Sequence, residues 1–401
     1  MEWLNLAVVN KNGPPLVLAR LAVEKRPEMA ASWRNLGHLL LQSGDPSIQA
    51  EAFDLLQTAC ERFCDDLSLH LLFAKVARLR GSLSSALKAS RRALEIAPQS
   101  RPAAHAYFLC LMANGDEDGA RLVVDRLVAP SPDDVLVNES LIRLLLKMGR
   151  LTDAIAMIQS MVDRVPELSA PVYYLARLLG LAGRRDEALR LMDMDRFTRR
   201  HQLPLPEGFP DRDAFHRALV EQIEANPTLI LDPLGRATYN GRQTETLCCD
   251  NSPAVAALLQ AMRRDVDAYA ALLPGEGGDH PFVRGRPSKV QPSPWAVTYA
   301  PDGIKTTHIH PGGWMTAVYY VANPPAGADA PHCGAIVLGG CADRLPGDAP
   351  WSERIINPIP GDLLLFPSWV PHYTYPTGSD QRRMCVPMDV VPVGATVRVF
   401  A

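Results

Sequence analysis

The sequence is notable first for what it has little of. No apolar run approaches the ~18 residues that a membrane-spanning helix needs, so no membrane partner is expected. There is no C-x-x-C pair: Cys60, Cys64, Cys110, Cys248, Cys249, Cys333, Cys341 and Cys385 are scattered along the chain. Such cysteines are expected as reduced, buried thiols. Cys60 and Cys64 stand one helical turn apart, but no second pair joins them to hold a metal, and core packing is the expectation. The opening residues, MEWLNLAVVNKNGPP, lack a basic stretch followed by an apolar one, so a cytoplasmic location is expected. Net charge is also small: 41 Lys+Arg against 44 Asp+Glu give −3. Residues 1–200 hold 26 basic and 24 acidic side chains and the rest 15 and 20, so neither half is expected to bind nucleic acid by bulk charge. Lysine is scarce, 7 against 34 arginines, the bias that a GC-rich bacterial genome encodes.

What is present is ordinary globular material. A chain of 401 residues, 47% apolar and 21% charged, has enough for two or three domains with real cores. The first half repeats itself. Gly81, Gly115, Gly149 and Gly183 are 34 residues apart, as are Ala86, Ala120, Ala154 and Ala188, and Pro98, Pro132 and Pro166 keep the same step. Glycine at that position suits a tight interhelical turn with φ > 0. Alanine five residues later suits a close helix crossing, and proline ends the second helix of each unit. These marks resemble the tetratricopeptide repeat, and Trp33, Leu36, Gly37 and Leu40 resemble its signature, with Leu for Tyr. Gly44 and Ala52 are eight apart rather than five, so that turn carries three extra residues. Five repeats are expected at about 30–66, 67–100, 101–134, 135–168 and 169–200, with a capping unit over 1–29. A stacked array implies a concave groove for a peptide or protein, with Tyr107, Asn138, Tyr173 and Arg177 as candidates to line it.

After Arg200 the helical period stops. The expected organisation is α + β: a repeat solenoid over 1–200, a Pro-rich linker over 201–212, and a domain over 213–401. Residues 213–226 and 253–273 read as helices, the second with Ser252 as N-cap and Pro253 at its first position. From about 290, WAVTYA, KTTHIH, MTAVYYVA, GAIVLGG, DLLLFPSW and RMCVPMDVV read as short strands, a pattern suggesting a sandwich or jelly roll. His308 and His310, two apart in KTTHIH, project to one side of a strand and can reach one metal, and His372 follows in PGDLLLFPSWVPHYTYP.

The ordered set HIHPGGWMTAVYYV, GAIVLGG, PGDLLLFPSWVPHYTYP, RRMCVPMDVVP resembles the 2-oxoglutarate/Fe(II)-dependent oxygenases over roughly residues 230–395. The likeness is to a bacterial branch with N-terminal tetratricopeptide repeats. It implies a double-stranded β-helix (jelly roll) with flanking helices, with Fe(II) and 2-oxoglutarate as cofactors and O2 as co-reactant. His308 matches the family's first histidine and His372 its distal one. Arg383 matches the basic residue that grips the far carboxylate of 2-oxoglutarate, with Arg382 as the adjacent alternative. Position 310 departs from the family, being His where Asp or Glu is usual. Three arrangements stay open: three histidines on the metal, two with His310 outside the ligand shell, or a carboxylate brought in from Asp302, Asp362 or Asp389.

Thr306, Tyr299 and Tyr320 are expected near the cosubstrate and Trp314 at a substrate wall. Gln243 and Thr244 are given no role beyond turn formation, and His332 is expected in an exposed loop. The leading expectation is a hydroxylase acting on a peptide or protein side chain held by the repeats. The alternatives are a repeat adaptor with a degenerate jelly roll and a three-His dioxygenase that does not use 2-oxoglutarate.

Overall fold

The computed structural model describes residues 14–42, 46–128, 139–232, 237–247, 252–276 and 278–393. Gly44, Pro132, Asn138, Cys248 and Cys249 lie outside the described residues. The chain divides into two compact units, Met1–Pro130 and Ser131–Ala401.

The first unit is helical. Its helices are α1 (Pro14–Lys25), α2 (Ala30–Gln42), α3 (Pro46–Arg62), α4 (Leu67–Leu79), α5 (Leu83–Ile96), α6 (Arg101–Ala113) and α7 (Glu117–Val128). The pairs α2–α3, α4–α5 and α6–α7 occupy the first three expected repeats, and α1 falls in the expected cap. Gly81 and Gly115 both sit at φ +75, and no heavy atom lies within 4 Å of either Cβ position, so the dihedral alone requires glycine. The turn is closed by Ser82 N–H donating to Ala77 O and Gly81 N–H to Arg78 O. Ala86 and Ala120 are fully buried. Gly37 answers to space instead: a Cβ there meets Leu56 Cδ2 at 2.7 Å. Cys60 is buried, which pushes its thiol up to about 12, whereas Cys64 is exposed; the two form no shared site.

The second unit opens with two more helix pairs, α8 (Glu139–Lys147) with α9 (Leu151–Arg164) and α10 (Ser169–Leu181) with α11 (Arg185–Leu191). Gly149 and Gly183 repeat the left-handed turn at φ +71 and +74. After α12 (Met194–Phe197), the stretch read as the end of the repeats and the start of a linker forms strand β1 (Arg199–Gln202). Then come α13 (Arg212–Glu224), β2 (Ile230–Leu231), β3 (Thr238–Gln243), α14 (Pro253–Leu272), a 3-10 turn and α15 (Pro281–Arg284). Ser252 stands at the N-cap of α14 but its side chain caps nothing. Gln222 of α13 accepts from Ala254 and Val255 N–H at 3.0 and 3.1 Å instead.

The remaining strands are β4 (Val290–Pro294), β5 (Val297–Lys305), β6 (Met315–Ala322), β7 (Ile336–Leu338), β8 (Arg354–Ile356), β9 (Asp362–Pro367), β10 (His372–Thr374) and β11 (Arg383–Pro392). The large antiparallel sheet runs β1-β9-β6-β11-β5-β3-β2, with β4 also on β11, and a second sheet runs β10-β7-β8. β11 is the axis of the large sheet: β6 pairs along one side, while β5 and then β4 share the other. The break between β4 and β5 holds Trp295, whose N–H donates to Pro387 O. KTTHIH is not a strand beyond Lys305. A single bridge joins His308 to His372, and His310 N–H donates to Ser368 O. There the run bonds first to His372 and then to Ser368 rather than pairing along one strand.

Helix α10 is bound directly to this β-structure. Ala170 N–H donates to Pro311 O, and Ser169 Oγ–H donates to Gly313 O at 2.6 Å. Arg177 and Tyr173, expected at an open groove, are fully buried. Arg177 Nε lies 2.9 Å from Asp343 Oδ2, Tyr173 OH donates to the same carboxylate, and Arg177 also donates to Asp348 O and Gly347 O. Tyr107 is half-buried.

Candidate metal centre

Three imidazoles meet where the bridged run faces β10. The ligand atoms of His308, His310 and His372 all lie within 4.8 Å of one another, the only such cluster among the described residues. His310 Nε2 and His372 Nε2 are 3.2 Å apart. Two ligands held at about 2.1 Å by one ion at tetrahedral or octahedral angles stand roughly 3.0–3.4 Å apart.

The other ring nitrogens set the tautomers. His308 Nδ1 faces Thr306 O at 2.8 Å and His372 Nδ1 faces Val370 O at 3.1 Å. A carbonyl oxygen only accepts, so both Nδ1 atoms carry the hydrogen and both Nε2 atoms carry lone pairs. His310 Nδ1 donates to Asp389 Oδ2 at 3.0 Å, and its Nε2 faces His372. Asp389 is fixed in turn by Thr316, whose hydroxyl lies 3.2 Å from Oδ1 and 2.8 Å from Ser368 Oγ. His308 Nε2 is buried with no hydrogen-bond partner. Lone pairs packed this way repel unless a cation lies among them, and carbonyl or carboxylate partners on the far nitrogens are how metal-binding histidines are held.

Burial, then His372, His310 and Lys305, holds His308 well below the usual imidazole range. His372 is held low by burial first and by His310 and Lys305. Both rings are therefore neutral at pH 7 and able to ligate. The carboxylates left open by the sequence separate clearly. Asp389 orients His310, Asp362 bonds Arg200 and Gln202, and Asp302 accepts from Asn240.

Beside the histidines is a narrow cleft lined by Trp295, Tyr299, Lys305, Tyr320, Arg383 and Cys385. Its volume is about 30 Å3, room for roughly two waters. Arg383 is 1% exposed and its guanidinium lies 4.6 Å above the Tyr299 ring. One of its nitrogens donates to Tyr375 O, while its Nε is buried without a partner. Arg382, the residue before β11, is exposed. Tyr299 and Tyr320 face the cleft, and burial raises both phenols above their ordinary range.

Two expected residues lie elsewhere. The Thr306 side chain is exposed and donates to Ala237 O; only its carbonyl serves the site, through His308. Trp314 is buried against Phe282, stacked at 4.9 Å with its indole N–H on Phe282 O, so it packs the core and forms no substrate wall. His332 is exposed and stacks on Tyr375. Gln243, given no chemical role, accepts from Lys305 Nζ at 3.0 Å and from Thr238 Oγ1 at 2.8 Å. Lys305, Trp295 and Asp389 in its supporting position went unremarked as site residues. The scarcity of lysine was the available signal for Lys305.

Residues 293–389 match the family described as "Putative 2OG-Fe(II) oxygenase". No curated protein matches the chain. Among solved structures, the chain is similar to a prolyl-4-hydroxylase from Pseudomonas putida (17% identity, 51% of this chain and 97% of that one, TM-score 0.34). It is also similar to a prolyl hydroxylase from Trichoplax adhaerens, solved with a hypoxia inducible factor oxygen degradation domain peptide fragment (14%, 53% and 92%, TM-score 0.35). A third similarity is to a tetratricopeptide-repeat protein from Thermus thermophilus (21%, 43% and 88%, TM-score 0.31). No helix among the described residues is long and apolar enough to cross a membrane.

Proposed function

From a chain whose residues 293–389 match a 2-oxoglutarate/Fe(II) oxygenase family, we propose a hydroxylase acting on a peptide or protein side chain, with the helical repeats as its substrate-holding part. One observation carries the metal-dependent reading: three imidazole lone pairs, fixed by carbonyl and carboxylate partners, point into one space. The ligands are His308, His310 and His372, and Fe(II) is the ion their family implies. With 2-oxoglutarate and O2, Fe(II) supplies the oxidising chemistry. The chain's own residues bind and orient. Arg383 offers a planar fork to the far carboxylate of the cosubstrate, and its orphaned Nε supports that role. Tyr299 and Tyr320 wall the same end and exclude water. Asp389 holds His310 in place of the carboxylate ligand usual at position 310 and keeps its Nε2 turned inward.

The narrowness of the cleft favours one other reading, a three-His dioxygenase in which Arg383 holds a small substrate and 2-oxoglutarate is not used. Succinate formation separates the two. Fe(II)-loaded protein that consumes O2 and 2-oxoglutarate and releases succinate supports the hydroxylase. Oxygen uptake without succinate supports the alternative.

A further inference from the structure

Helix α10 grips the β-structure with one stripe of side chains. Ser169, Tyr173 and Arg177 stand four residues apart, so they share a face of the helix, and all three are fully buried. The stripe is not part of the repeat pattern: one 34-residue step gives Glu139 and Arg143 for Tyr173 and Arg177, and two steps give Arg101, His105 and Leu109 for the three. Polar groups on a buried helix face are costly unless each finds a partner. Here every one does, and the partners lie in two places beside the histidines.

The first place is the turn after His310. Leu168 at the N-cap of α10 offers no side-chain acceptor. The turn supplies one instead, as Ala170 N–H donates to Pro311 O at 3.2 Å, while Ser169 Oγ–H donates to Gly313 O at 2.6 Å. Gly313 N–H in turn donates to His310 O at 3.0 Å, so the turn closes on the histidine itself. The second place is the loop between β7 and β8. Tyr173 OH accepts from Ala342 N–H at 2.8 Å and donates to Asp343, and Arg177 donates to Asp343, Gly347 O and Asp348 O. Three residues before Ala342, Gly339 N–H donates to Pro371 O at 2.7 Å, and Leu338 pairs with His372.

We propose that α10 is a positioning element of the three-histidine centre, with Ser169 fixing the His310 turn and Tyr173 and Arg177 fixing the loop that leaves the strand beside His372. His308 and His372 are tied to each other by a reciprocal pair of backbone bonds at 3.1 and 3.0 Å, whereas His310 N–H bonds to Ser368 O. The 3.2 Å between His310 Nε2 and His372 Nε2 is therefore the spacing most open to what lies outside the cluster. A metal ion tolerates only a few tenths of an ångström in its ligand distances, so a helix that holds both segments bears on affinity. The inference rests on the metal-binding reading and adds to it residues of the last repeat. It agrees with the division of the chain, in which α8 to α11 fall in the same compact unit as the two sheets.

The test is Co(II) titration of the metal-free full chain, read as affinity and as the visible ligand-field spectrum, beside the urea midpoint of each protein. Ser169→Ala and Tyr173→Phe each remove one hydroxyl and touch no histidine. Each should weaken Co(II) about tenfold and alter the spectrum. Gly149→Ala, which strains a repeat turn at φ +71 with no atom within 4 Å of the new Cβ, is the control for lost stability alone. It should lower the urea midpoint and leave both Co(II) readings at the wild-type values. If Ser169→Ala and Tyr173→Phe lower the midpoint yet bind Co(II) with wild-type affinity and spectrum, α10 is a structural prop and the proposal is overturned. An equal change in Gly149→Ala overturns it as well, because the effect then follows stability and not position. If the wild-type chain binds no Co(II), the metal-binding reading itself fails and takes the positioning role with it.

Discussion

Each imidazole of the cluster is held by the group on its far nitrogen, and the weakest-looking hold is the one that matters most. His308 and His372 lean on backbone carbonyls that no substitution removes, whereas His310 leans on the Asp389 side chain. Asp389→Ala frees the His310 ring and is expected to loosen metal binding about 10–100-fold, measured by competition with a chromophoric chelator. Other buried histidines make stability sensitive to acid. Burial lowers His105, His216 and His280 to about 4. In the unfolded chain histidine titrates near 6.5, so between these values the unfolded state binds more protons. The stability they contribute is complete above about pH 6.5 and lost as pH falls toward 4. Tm of metal-free protein should decline steadily across that window, and a flat profile would contradict the assignment.

At the scale of elements, the repeat turns depend on one dihedral each. Gly183 sits at φ +74 in open space, so Gly183→Ala adds no clash and isolates the left-handed strain. A loss of about 1 kcal/mol is expected from the urea midpoint, with the fold unchanged. The run that carries His308 and His310 behaves differently. Continuous pairing was expected through His310, yet β5 ends at Lys305 and one bridge carries the chain on to His372. Gly313 sits in the loop that follows. A Cβ there meets Ser368 Oγ at 2.6 Å, so the run from Pro311 to Gly313 packs against the turn that precedes His372. The histidines converge through this crossing and not through pairing along a shared strand.

Much of the molecule was legible because the informative signals are periodic or local. A 34-residue step in Gly81, Gly115, Gly149 and Gly183 reports a backbone dihedral, and a dihedral is a property of one residue. Motif order drew attention to the three histidines that cluster and to the buried Arg383, while Arg382, one residue before β11, is exposed. Contacts between distant segments left no such trace. Nothing near Tyr173 or Arg177 in the sequence announces Asp343, and the role of Gln222 as cap to α14 is equally silent. The Arg177–Asp343 pair, with both side chains at 1% exposure or less, fastens α10 to the loop between β7 and β8. Arg177→Met leaves a buried carboxylate without its cation and should cost about 3–5 kcal/mol in chemical denaturation. Much of that loss should return in Arg177→Met/Asp343→Leu.

The claim on which the functional account stands is that His308, His310 and His372 jointly hold Fe(II) together with 2-oxoglutarate. Anaerobic addition of both to the metal-free chain should produce the visible metal-to-ligand charge-transfer absorption, and each of His308→Ala, His310→Ala and His372→Ala should abolish it. Absorption that persists in any of these three variants contradicts the three-histidine centre.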